Sequence, residues 1–111
     1  MAFDDALGER IRTLLRKTAD IAEKKMFGSL VFLHRGNMIV GIWKKSLIAR
    51  PGPQAGEQSL LMPHVRPFDV TGKPMKGWVM VHPEGLATDA DLALWIEQSL
   101  AFVETLDAKT G

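Results

Sequence analysis

Leu30–His34 and Met38–Trp43 are apolar runs with several aromatic and β-branched residues, held apart by Arg35-Gly36-Asn37. No other feature of the chain narrows its fold so far. Each run is too short for an ordinary helix and long enough for a strand, and the residues between them are of the kind that turn a backbone tightly. The stretch reads as an antiparallel hairpin. Lys44-Lys45 breaks the pattern before Ser46–Arg50, where Leu47, Ile48 and Ala49 predict a third strand paired with the second. A shorter extended piece, Lys24–Phe27, precedes the hairpin, with Gly28 allowing a bend. The middle of the chain is therefore a meander.

Helices flank it. Phe3, Leu7, Ile11, Leu14 and Leu15 fall on one stripe of a 3.6-residue period, with Asp4 and Asp5 at the start and Arg16 and Lys17 at the end, matching the helix dipole. Gly8 costs such a helix roughly 1 kcal/mol relative to Ala, which close packing on that face has to offset. Near the C-terminus, Thr88 and Asp91 have the spacing of a capped helix start, and Leu92, Trp95, Ile96, Ser99, Leu100, Val103 and Leu106 share one face of a helix from about Asp89 to Leu106. All six prolines lie between Pro51 and Pro83. Within that stretch Pro53 suits the first turn of a short helix running towards Leu61, Val70–Pro74 reads as a turn, and Trp78–His82 reads as a strand. The rest of it reads as loop. The order predicts one α+β domain over 1–111: an antiparallel sheet of about four to five strands with N- and C-terminal helices packed on one face.

Composition excludes several classes. There is no cysteine, so disulfides, thiolate metal sites and cysteine nucleophiles are absent, as suits a reducing compartment. The first fifteen residues carry charges throughout and lack a signal-peptide core, and no apolar run approaches the roughly 20 residues of a membrane span. The expected location is the cytoplasm, with no membrane partner. Net charge is +1, which gives little general attraction to polyanions, although residues 1–76 hold 13 Lys and Arg against 7 Asp and Glu while the remainder is acidic. That asymmetry fits either a basic face or two ends that attract each other.

Chemistry is harder to find. His34, His64 and His82 share no ligand spacing, so no metal site is expected. Ser29, Ser46, Ser59 and Ser99 lack a nucleophile-elbow setting, and the acidic pairs Asp4/Asp5 and Asp89/Asp91 are placed as helix caps. Gly36 and Gly41 have the separation of phosphate-loop glycines, but Ile42 and Trp43 stand where that loop needs Lys and Ser or Thr. No catalytic residues, cofactor or enzyme activity are expected. What remains is two segments in which cations stand beside Met or aromatic residues and glycine: Glu23–Gly28, and Arg66–Asp69 through Met75–Trp78. Such a mixture can rim an apolar contact patch, or simply mark core residues beside a bend. Lys24, Lys25, Arg66, Lys76 and Trp78 are the candidate partner-binding residues.

The ordered set Lys24-Lys25-Met26-Phe27-Gly28-Ser29-Leu30-Val31-Phe32, Gly36-Asn37-Met38, Arg66-Pro67-Phe68-Asp69 and Pro74-Met75-Lys76-Gly77-Trp78-Val79 resembles the TfoX/Sxy N-terminal domain family. Ser29 replaces the second glycine usual in the first motif. The resemblance runs from about Asp4 to Leu106. It implies an α+β fold similar to secretion chaperone-like proteins, which often form dimers, and a family whose full-length members regulate natural competence by promoting transcription of DNA-uptake genes with the cyclic-AMP receptor protein. Those members carry a second, helical domain, whereas this chain closes at Gly111, soon after its last helix. The leading expectation is a non-enzymatic protein-interaction domain, an accessory to the transcription machinery, acting through a homodimer or through a partner docked on a sheet edge or helix face. Direct nucleic-acid binding and small-molecule binding are the alternatives.

Overall fold

The first helix, α1, spans Asp5–Leu15 and is opened by Asp4, whose Oδ1 accepts from the backbone N–H of Ala6 at 2.9 Å and of Leu7 at 3.4 Å. These are among the donors a helix start leaves without partners. The computed structural model describes residues 4–26, 28–69, 72 and 75–106, so Phe3, Phe27 and most of the Val70–Pro74 turn lie outside the described residues. Leu7, Ile11 and Leu15 are buried, as their spacing predicts. Gly8 is buried too: a Cβ there would stand 3.4 Å from Leu30 Cδ2, so the missing side chain lets α1 lie close over the sheet.

Among the described residues the sheet has six antiparallel strands, more than the four to five expected. They are β1 (Ile21–Met26), β2 (Ser29–His34), β3 (Asn37–Trp43), β4 (Ser46–Ala49), β5 (Val65–Pro67) and β6 (Val79–Val81), in the order β1-β2-β3-β4-β6-β5. The added strand is β5, placed where loop was expected; three residues with a proline carry no readable alternation, and their pairing with β6 is a tertiary fact. β1 starts earlier than the Lys24–Phe27 piece suggested. As an edge strand it is exposed at nearly every position, so its pattern shows no buried face. The β2–β3 connection is Arg35–Gly36, both at positive φ (54° and 83°), the two-residue turn whose twist suits a hairpin. The register shifts between Phe32 and Leu33, and β3 accommodates the extra residue with Ile39 wholly buried.

A short helix, α2 (Pro53–Ser59), links β4 to β5, and Pro83–Leu86 forms a single 3-10 turn before α3 (Asp89–Val103). The last helix stops short of Leu106; its cap is Glu104, and its start is held by Thr88, whose Oγ1 accepts from Asp91 N–H at 3.1 Å. Among its expected inward residues, Leu92, Trp95, Ile96, Ser99 and Val103 are buried. Helices α1 and α3 lie on the same side of the sheet, where Leu30, Phe32, Val40, Ile42, Leu47, Ala49, Val79 and Val81 complete the core. Strand alternation sends Lys24, Val31, Gly41, Ile48, Met80 and Arg66 to the other face in one row.

Candidate functional site

The turn before β6 is built from glycines that bring backbones together. Gly52 N–H donates to the Gly77 carbonyl at 3.2 Å, and a Cβ on Gly56 would lie 3.3 Å from Gly77 Cα, so α2 rests directly on the Met75–Trp78 turn. Trp78 N–H donates to the Met75 carbonyl and Met75 N–H to the Phe68 carbonyl, both at 3.1 Å. The Phe68 and Trp78 rings meet at 6.2 Å between centroids, tilted by 43°. Arg50, just past β4, carries its guanidinium 5.0 Å from the Trp78 ring and 5.5 Å from the Phe102 ring of α3. This cation–π stack ties sheet, α3 and turn together. Burial pushes the Arg50 pKa below its ordinary value.

Between α2 and this turn runs a groove of about 300 Å³, walled by Pro53, Leu60, Pro67, Met75 and Trp78, with Glu57 and Lys76 also lining it. Leu60 and Met75 are exposed at its wall, and Leu61 and Met62 follow directly, Leu61 with 88% of its surface in water. Four of the six large apolar side chains exposed among the described residues are thus Leu60, Leu61, Met62 and Met75. Exposed apolar side chains at a groove wall are what protein-contact sites present. A second, shallower groove of about 640 Å³ separates α2 from α3, with Pro51, Pro53, Gln54, Gln98 and Phe102 among its walls.

The residues singled out from sequence fall into two groups. Lys76 and Trp78 line the first groove, and Arg66 is near it on β5, where it pairs with Asp69 at 3.7 Å. Lys24 and Lys25 are on β1, at the opposite edge of the sheet, about 24 Å away by strand spacing alone. They also point to opposite faces: Lys24 opposes Val31, and Lys25 opposes the core residue Leu30. Beside Lys25 on the helix-bearing face, Glu23 accepts both Arg12 Nε and Nη2 at 2.8 Å, and Arg12 also pairs with Glu9. The guanidinium hydrogen bonds hold the Glu23 carboxyl below the usual carboxylate range.

His34 lies at one end of the sheet, its Nδ1 3.1 Å from the Ala19 carbonyl, while His64 and His82 adjoin at the other, where His82 N–H donates to the His64 carbonyl. Among the described residues no group of three or more His, Cys, Asp or Glu is gathered that could hold a metal ion. The ion pair Arg10–Asp89 at 3.1 Å joins the basic body to the acidic C-terminal region. Sequence reasoning passed over Arg50 and Leu60-Leu61-Met62. The latter did carry a signal, since three apolar residues before Pro63 at the end of a short polar helix have little core to enter.

The architecture is a helix-backed antiparallel α+β domain in which the segments Arg66–Asp69 and Met75–Trp78 meet through the rings of Phe68 and Trp78. A family model described as the TfoX N-terminal domain matches residues 13–103, nearly the whole chain, and the chain belongs to that family. No curated protein and no solved structure matches it. No helix among the described residues is long and apolar enough to cross a membrane.

Proposed function

We propose that the chain is a protein-interaction domain without catalytic activity, which docks a partner in the groove between α2 and the Met75–Trp78 turn. The observation that carries this reading is the groove wall of exposed Leu60 and Met75 beside Trp78, with exposed Leu61 and Met62 next in the chain. Burying such side chains against a partner yields on the order of 25 cal/mol per Å² of apolar surface, before the costs of association. Charge on both sides of the opening, from Glu57 and Lys76, would orient what binds. The family resemblance directs the search to the transcription machinery, with RNA polymerase and the cyclic-AMP receptor protein as first candidates.

The test is a heteronuclear titration with each of these proteins, followed by the variants Leu61→Asp and Lys76→Glu, whose side chains are exposed. Resonances from Leu60–Met62 and Met75–Trp78 are expected to move, and Leu61→Asp is expected to weaken binding about tenfold or more. Shifts confined to other surfaces would reject the groove. Loss of all binding by moderate salt, with shifts on lysine-bearing strands, would instead indicate a nucleic-acid contact.

A further inference from the structure

The two edges of the sheet are unlike. Edge strand β5 is three residues long and ends in Pro67, which has no N–H to offer another strand. Edge strand β1 runs over six residues, and all but Ile21 are exposed. Its backbone polarity follows from two observations. Met26 pairs with Ser29 and Ile21 with His34, and one pair further on Arg35 N–H donates to the Asp20 carbonyl at 3.1 Å. Groups of even-numbered residues therefore turn towards β2, and the N–H and C=O of Ile21, Glu23 and Lys25 turn outward, away from the sheet. Helix α1 lies over Leu30 and Ile42 and reaches this edge through Arg12, which binds the Glu23 side chain; the backbone groups of Ile21, Glu23 and Lys25 lie on the exposed strand edge.

We propose that β1 pairs antiparallel with β1 of a second copy about a two-fold axis through Lys24. This inference rests on the interaction-domain reading above and assigns a second surface to it. Residues facing each other across an antiparallel pair share a sheet face, so the register must join odd to odd and even to even. Among such registers, the one centred on Lys24 sets Glu23 of one copy against Lys25 of the other, twice by symmetry, on the helix-bearing face, where the incoming lysine joins a carboxylate that Arg12 of its own chain already binds. Those are also the residues whose outward backbone groups can exchange two hydrogen bonds per pair. Centring on Glu23 or Lys25 instead would oppose like charges at the hydrogen-bonded site and leave no carboxylate opposite a lysine. Ala22 meets Met26 in the chosen register, covering a methionine otherwise exposed at its own edge. The opposed Lys24 side chains lie on the face without helices and limit the affinity, as charged residues on an edge strand do. The result is a reversible pair with one sheet continuous through both copies.

Sedimentation equilibrium from micromolar to millimolar concentration tests the pairing. The wild-type chain is expected to rise from 12.3 kDa towards twice that mass, with slowed amide exchange at Glu23 and Lys25. Lys25→Pro deletes an outward N–H and fixes φ near that of an extended chain, which an edge strand accommodates, so it is expected to shift the melting temperature little and abolish the rise in mass. Lys25→Glu, which asks nothing of the backbone, is expected to weaken association as well. Lys24→Thr removes the repulsion on the axis and is expected to tighten it by about two- to fivefold. A wild-type mass that stays at one chain overturns the proposal, even if the groove binds its partner. A dimer unaffected by Lys25→Pro and Lys25→Glu also overturns it, by placing self-association on another surface.

Discussion

Replacing Gly77 by alanine should damage the domain more than the same methyl addition at Gly56 across the α2 contact, and the size of the effect can be worked out. Gly77 has φ +89°, a conformation that costs an L-residue roughly 1–2 kcal/mol. Its Cβ would also stand 3.2 Å from the Pro53 nitrogen and 3.3 Å from the Gly52 carbonyl carbon, both backbone atoms at the start of α2. Relieving that crowding would push α2 away and stretch the Gly52–Gly77 hydrogen bond, which adds on the order of 1–2 kcal/mol. The sum is about 2–4 kcal/mol, or a fall in melting temperature of roughly 8–16 °C for a chain of this size. Gly56→Ala is the internal control. It places a methyl 3.3 Å from Gly77 Cα, similar crowding, but in helical backbone where alanine gains about 1 kcal/mol, so its net effect should be within about 1 kcal/mol of zero. Urea unfolding followed by tryptophan fluorescence measures both. If Gly77→Ala costs no more than Gly56→Ala, backbone strain at this turn is not what makes the glycine necessary, and the argument fails.

Other expectations rest on single contacts. Ser99, fully buried in α3, accepts the Arg50 N–H at 3.0 Å; Ser99→Ala should cost about 1 kcal/mol in urea unfolding, because the same N–H keeps the Ile39 carbonyl at 3.2 Å. Gln98 Oε1 is buried with no hydrogen-bond partner among the described residues, so Gln98→Met should raise stability, by about 1 kcal/mol, in thermal melts. The Glu23 carboxyl is depressed by its hydrogen bonds to Arg12, so its contribution is present above the unfolded carboxylate pKa and is lost as pH falls through the lower folded value. Both side chains are over a third exposed, which limits this to about 0.5 kcal/mol. Stability measured from pH 6 to pH 3 should fall slightly less steeply in Glu23→Gln than in the wild type.

The long elements were legible because local chemistry and burial agree in them. Asp4 and Thr88 cap the helices whose spacing announced them, and Arg35–Gly36 turns the hairpin between two apolar runs. Elements decided by partners were not legible. Val65–Pro67 is a strand only because Val79–Val81 lies beside it, and the polar exposed surface of Ile21–Met26 erases the period that would reveal a strand. The groove was half legible. Lys76 and Trp78 stood out by composition, but their relation to Leu60 depends on α2 docking onto Gly77, and that contact is between backbones. Arg50 gave no local sign at all, since its function is to be flanked by rings from positions 78 and 102.

That arrangement of Arg50 couples the groove to the core. The guanidinium stacks on Trp78, which walls the groove, and on Phe102 of α3, while its own N–H is held by Ser99 one turn earlier in the same helix. Displacing Trp78 would therefore take a partly buried cation from one of its two aromatic faces, and no carboxylate pairs with it among the described residues to compensate. A partner that grips Trp78 meets a rigid wall rather than a loop tip, which lowers the ordering cost of binding there. Arg50→Lys keeps the charge but loses the planar stacking. It should leave α1 and β1–β3 unperturbed in amide exchange spectra while speeding exchange across Met75–Trp78. Equal protection at that turn in the two proteins would mean that the glycine contacts alone hold it in place.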